Sequence, residues 1–312
     1  MAANTSSYTP LFARSGSGIV TVVDIGETPG NVYFVNSATG SDTTGYGRRP
    51  DAPFATLAYA FSSDTVTSGD VVYVMPGHAE TVNAAGDITM DIAGVRVVGL
   101  GRGSSRPTFT YATDTASTWL ITAANVRVEN VLITVTGTID VANAITITAA
   151  DVALVDVDVR DSAATSQFAD PIIVSTGADR CRLERVRVFS HATGDAAQSA
   201  ILLSAAVVDV EIIDHYSDGL FATGNIESTA AALNTVIRNS VTRQRHATRD
   251  AGINLHASNT GFVLSPRVWS ATNDADGFNL AIVAAAASVF DPLVVNLAGE
   301  RGGAWGTASA AA

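Results

Sequence analysis

Val126-Arg-Val128-Glu-Asn-Val131-Leu-Ile133 places apolar residues two apart, breaks step after Val128 and resumes at Val131. The pattern returns as Val152-Ala-Leu154-Val-Asp-Val157-Asp-Val159 and as Cys181-Arg-Leu183-Glu-Arg-Val186-Arg-Val188. A fourth copy reads Val208-Asp-Val210-Glu-Ile-Ile213, and weaker ones start at Thr235, Phe262 and Val289. Read this way, successive copies are 26, 29, 27, 27, 27 and 27 residues apart. A recurrence of this length, carried by two-residue alternation, is the signature of a solenoid whose coils are made of strands.

Alternation at i and i+2 buries one face of a strand, and Val, Ile, Leu and Thr suit a half-buried pleated surface. The break after Val128 or Leu154 reads as a corner between two strands of one coil. A third strand precedes each pair: Trp119–Ile121, Ala144–Ile147, Ile172–Val174, Ile201–Leu203 and Gly252–Leu255. Three strands and three turns use up the repeat. One such coil buries nothing alone, so a core forms only when coils stack, about 4.8 Å apart. Eight or nine coils predict a rod roughly 40 Å long. An antiparallel sandwich would need hairpin turns between strands, whereas Asp218-Gly219 and Asp276-Gly277 fall at coil spacing. The predicted fold is all-β: a single-stranded parallel β-helix over residues 31–300, an N-terminal arm over 1–30 and a C-terminal tail over 301–312. An open stack exposes strand edges. Phe54, Leu57, Ala58 and Phe61 sit at helical spacing and predict a short amphipathic helix capping the front.

Three segments carry a resemblance: Tyr33-Phe-Val-Asn-Ser-Ala-Thr-Gly-Ser-Asp42, Pro53-Phe-Ala-Thr-Leu57 and Gly69-Asp-Val-Val-Tyr-Val-Met-Pro-Gly77. They resemble the opening of right-handed parallel β-helix proteins of the pectate-lyase-like superfamily. That resemblance implies a right-handed helix but no single activity, because the superfamily holds lyases, hydrolases, esterases, tailspikes and virion proteins. Pro76-Gly-His-Ala-Glu-Thr81 and Val97-Val-Gly-Leu-Gly-Arg-Gly103-Ser-Ser-Arg-Pro107 are similar to proteins encoded among bacteriophage head genes.

The chain has a formal net charge of −12, and every basic residue other than histidine is arginine. An acidic surface disfavours nucleic acid, and the missing lysine excludes Schiff-base chemistry and a P-loop. No apolar run reaches the length of a membrane span. No basic segment followed by an apolar run opens the chain, which predicts synthesis in a cytoplasm without a secretory signal. The one cysteine, Cys181, is expected in the core, with no intramolecular disulfide.

Catalysis on such a rod needs ionisable groups clustered outside adjacent coils. Asp209, Glu211, Asp214, His215 and Asp218, beside Glu184, Arg185, Arg187 and His191, are the densest set. Asp214 and Asp218 form the carboxylate pair to test for glycoside hydrolysis, with His215 assisting. Most of these groups alternate with inward apolar residues, as on any solvated strand, so the expectation is no enzyme, no cofactor and no metal. His78, His191, His215, His246 and His256 lack ligand spacing, and Asp274-Ala-Asp276-Gly277 lacks the closing glutamate of a calcium loop.

The expected function is a structural virion protein: a capsid decoration (cement) protein on the outside of a phage head, synthesised in the host cytoplasm. Its partners would be the major capsid protein and itself, as a homotrimer, with no nucleic acid and no membrane. Tyr8, Leu11, Phe12 and Arg14 in the arm and Arg243, Arg245 and Arg249 in a basic cluster are the candidate partner contacts. The alternatives are a polysaccharide-degrading β-helix enzyme, such as a tailspike depolymerase or lyase, and a non-enzymatic tail protein.

Overall fold

The computed structural model describes residues 30–191, 193, 196–245, 251–270, 282–283, 286–291, 293–296 and 301–302. The arm residues Tyr8, Leu11, Phe12 and Arg14, the basic residues His246 and Arg249, the Asp274–Gly277 segment and residues 303–312 of the tail lie outside them.

Each coil contributes one strand to each of three parallel sheets, and the chain is a right-handed-type parallel β-helix of about eight turns. The first sheet contains Arg96–Gly99, Arg127–Glu129, Ala153–Val155, Arg182–Glu184, Glu211–Ile213, Thr235–Arg238 and Gly261–Leu264. The second contains Thr108–Tyr111, Leu132–Val135, Asp158–Asp161, Arg187–Phe189, Tyr216–Gly219, Val241–Gln244 and Arg267–Ser270. The third contains Trp119–Ile121, Ile145–Ile147, Ile172–Val174, Ser199–Leu203, Gly224–Ser228 and Ile253–Asn254. Inward side chains stack into columns such as Val97, Val128, Leu154, Leu183, Ile212 and Ile237, all fully buried. Cys181 is buried in this core, which pushes its thiol up to about 11 and leaves it a small apolar filler.

The pairing corrects the register of the fourth copy. Glu211 lies opposite Arg182, so Val210, not Val208, matches Cys181. Val236 lies opposite Glu211, and Phe262 opposite Val236. Val208 and Val210 are both apolar and two apart, so a shift of two leaves the alternation intact. What the shift moves is the corner, so that His215, not Ile213, takes the first inward place after it.

Two columns of left-handed residues make the corners flanking the first sheet. Asn125, Asp151, Arg180, Asp209 and Asn234 precede the strand, and Asn130, Asp156, Arg185, Asp214 and Asn239 follow it, all with φ between 52° and 60°. Asn and Asp tolerate this region because their short side chains bond locally. Within each coil the two corners are five residues apart. Arg180 and Arg185 are the costly members, and each is held by a forked ion pair to the corner one coil below. Arg180 Nε donates to Asp151 at 2.7 Å, and Arg185 Nε to Asp156 at 2.7 Å.

The front is closed by the helix Leu57–Ser62, which buries Leu57, Ala60 and Phe61. Thr56 caps it, its hydroxyl accepting from Tyr59 N at 3.0 Å. Glu80, from the strand Ala79–Val82, accepts from Leu57 N at 2.7 Å and Ala58 N at 3.1 Å. His78 Nδ1 accepts from Ser37 N at 3.0 Å, so its proton sits on Nε2 and is donated to Glu80 at 3.0 Å. The Pro76–Thr81 segment is therefore the clamp between cap and stack.

Candidate functional site

The outward face of the second sheet gathers the side chains best suited to a ligand. Its first column runs Leu132, Asp158, Arg187, Tyr216, Val241 and Arg267. Its second runs Thr134, Arg160, Phe189, Asp218, Arg243 and Trp269. Five steps between six coils make this strip about 24 Å long. Phe189 and Tyr216 lie with ring centroids 5.5 Å apart. Arg160 sits over Phe189 at 5.2 Å and Arg243 over Trp269 at 5.6 Å. Two guanidinium–ring pairs thus stand on the strip, each group holding its partner in place.

Two carboxylates anchor the arginines. Asp158 is buried beneath Arg106 and Arg160, whose nitrogens approach it to 2.9 Å. Asp218 receives both nitrogens of the Arg245 fork, Nη2 at 2.7 Å, with Arg243 Nη1 at 3.4 Å. Tyr216 Oη donates to Asp218 at 3.4 Å. The Asp218 pair raises the already high pKa of Arg245 further. Arg187 and Arg267 are exposed and make no ion pair among the described residues, so they are the strip's free cations. The strip is therefore a row of positioned guanidinium groups and aromatic rings on an acidic molecule.

The corners and the first sheet use their charges differently. Burial alone would raise Glu129, but bonds from Arg96 at 2.5 Å and Arg127 at 2.6 Å hold its carboxyl below the usual range. Asp156 is likewise held low by the Arg185 fork. One carboxylate goes the other way. Burial pushes Asp161, at the end of Asp158–Asp161, up to about 6, although Phe168 N at 3.0 Å and His191 N at 3.1 Å donate to it.

The proposed catalytic trio does not assemble. Asp214 is an exposed corner residue at φ 52°, bonded by Asn239 Nδ2 at 3.1 Å. Asp218 stands on the second-sheet face, engaged by Arg243 and Arg245. His215 points into the core, fully buried, and burial lowers it to about 4. With the register corrected, His215 occupies the inward place of Val186 one coil earlier. Of the basic cluster, Arg243 and Arg245 share Asp218, while Arg238 is exposed at the end of a first-sheet strand. Sequence reading missed Phe189, Tyr216 and Trp269, because they are scattered along the chain and only the register aligns them.

No family model and no curated protein matches the sequence. Solved structures do match. A rhamnogalacturonan lyase is similar at a TM-score of 0.54 with 13% identity, over 77% of this chain and 69% of that one. The pectate lyase Pel9A is similar at 0.54 with 11% identity, over 86% and 77%. A GH136 lacto-N-biosidase from Eubacterium ramulus is similar at 0.50 with 10% identity, over 85% and 64%. At these identities the likeness shows the fold: the neighbours are pectate-lyase-like parallel β-helix proteins. It also corrects the expectation of no enzyme, because every one of these neighbours is described as an enzyme acting on saccharides.

Proposed function

We propose that this β-helix binds a macromolecular surface through its second-sheet strip, and that the surface is the capsid of a bacteriophage, which it decorates and cements as a homotrimer. The observation that carries the reading is the composition of the strip: Arg160, Phe189, Tyr216, Arg243 and Trp269 in register, with Arg187 and Arg267 free. Arginine and aromatic residues are the types enriched at protein interfaces and their hot spots. A second feature agrees. Phe262, Phe290 and Leu293 are exposed on the last coils, with the two phenyl rings 6.1 Å apart, and exposed apolar groups of this kind mark contacts between proteins. Binding only the assembled shell would stabilise that shell by mass action. The test is to mix the purified chain with expanded capsids and image the particles by cryo-electron microscopy. Density at three-fold positions with the second sheet facing the shell is expected; sedimentation apart from the capsids refutes the reading.

A second reading is saccharide processing, favoured by the strip's rings and by the neighbours described as a rhamnogalacturonan lyase, a pectate lyase and a lacto-N-biosidase. Aromatic faces stack on sugar rings, and free guanidinium groups pair with acidic sugars. Incubation with polygalacturonate, rhamnogalacturonan and neutral oligosaccharides, monitored for new reducing ends and unsaturated products, decides it. Turnover that Arg187→Ala or Trp269→Ala abolishes would establish this reading; no cleavage of any of them would end it for those substrates.

A further inference from the structure

The inward column at the start of the second-sheet strands runs Val131, Val157, Val186, His215, Ser240 and Pro266, each carbonyl bonded to the next coil. The adjoining inward column runs Ile133, Val159, Val188, Ser217, Thr242 and Val268. Two consecutive coils thus replace branched apolar residues with His215, Ser217, Ser240 and Thr242, all fully buried or within 1% of it. Asn225 reaches in from the third sheet, its Nδ2 donating to Ser217 Oγ at 2.9 Å and to the Arg243 carbonyl at 3.4 Å.

Five atoms of this group make no hydrogen bond of normal geometry among the described residues: Nδ1 and Nε2 of His215, Oγ of Ser240, Oγ1 of Thr242 and Oδ1 of Asn225. Buried polar atoms in stable folds are paired, with protein or with ordered water. Here they stand together, from neighbouring coils and from two sheets.

We propose that the core between the coils of His215 and Ser240 is an internal hydration site, holding ordered water that bridges these five atoms. The chemistry selects water. A neutral imidazole offers one donor and one acceptor, the two hydroxyls offer both, and the amide oxygen only accepts. A ligand must therefore donate and accept, with two to four partners. Among the described residues no carboxylate or thiolate joins the group to hold a cation. Asp218, the nearest acid on the same strand, faces outward to Arg243 and Arg245. The site is independent of whatever the outer strip binds.

The test is a crystal structure of the full chain at a resolution that shows internal water. Density within about 3.2 Å of a His215 ring nitrogen and of Thr242 Oγ1 or Ser240 Oγ is expected. A dry, closed contact around the imidazole overturns the proposal. Magnetic relaxation dispersion gives a second reading on the same protein, counting long-lived internal waters. His215→Val/Ser240→Val, which continues the valine column, is expected to lower that count, and an unchanged count in the folded variant overturns the proposal. Should that variant not fold, the wild-type density decides alone.

Discussion

Two buried groups should pull the stability of this protein in opposite directions over one range of pH. His215 titrates at about 4 in the folded chain against 6.5 when free. Burial is the cause, opposed by the Val186 backbone. Between those values the unfolded chain holds a proton that the native chain lacks, so acidification from pH 6.5 to 4 removes stability. At 1.36 kcal/mol per unit the loss reaches about 3 kcal/mol. Asp161 behaves conversely, at about 6 when folded against 3.8 when free. From pH 6 to 3.8 the native carboxyl holds the extra proton, so acidification adds stability, by at most about 3 kcal/mol and less where solvent screens it. In the wild type these two contributions therefore largely offset each other between pH 6.5 and 4. His215→Val exposes the Asp161 gain, and its stability should rise as pH falls. Asp161→Asn exposes the His215 loss, and its stability should fall by roughly 1 kcal/mol per unit. Urea unfolding at half-unit steps of pH, with constant m-values, measures all three profiles. Parallel profiles for the two variants would refute the reasoning, since each removes one of two opposed slopes.

Three further outcomes follow from the same structure. Glu80→Ala strips the partner from Leu57 N, Ala58 N and His78 Nε2; a loss of about 2–4 kcal/mol is expected in denaturant unfolding, with early proteolysis near the cap. Arg185→Asn relieves a left-handed residue at φ 52° while giving up partly exposed ion pairs to Asp156 and Glu184. Since the strain is worth about 1–2 kcal/mol and each pair about 0–1, the two effects nearly offset and a melting temperature close to that of the wild type is expected; a clear fall would show the pairs to dominate. Cys181→Val should leave the far-ultraviolet spectrum unchanged and stability within about 1 kcal/mol, and thiol reagents should label the native wild type far more slowly than the unfolded chain.

The solenoid was legible because burial of one strand face per coil leaves a two-residue trace that repeats. Gly224–Ser228 escaped notice as a strand, since Gly, Asn, Glu and Ser give no apolar alternation although the segment pairs with Ser199–Leu203. The corners were hidden for a different reason. Asn and Asp recur at fixed places beside the apolar runs, but Arg180 and Arg185 interrupt both columns. The inward place of His215 was lost to a register shift of two, to which a two-residue period is blind. The outward strip was unreadable from any one coil. Phe189, Tyr216 and Trp269 are scattered in sequence, and hydrogen-bonded stacking alone makes them neighbours.

From Arg127 onward, a residue on the first sheet and its counterpart on the second are always five apart, as in Ala153 and Asp158, Glu211 and Tyr216, or Phe262 and Arg267. Differences in coil length are absorbed in the two other connections, around the third sheet. The rigid corner therefore acts as a joint of standard gauge. Whole coils could be duplicated or excised between successive corners, lengthening or shortening the rod in steps of about 4.8 Å, while the loops beside the third sheet vary in length and chemistry without disturbing the stack.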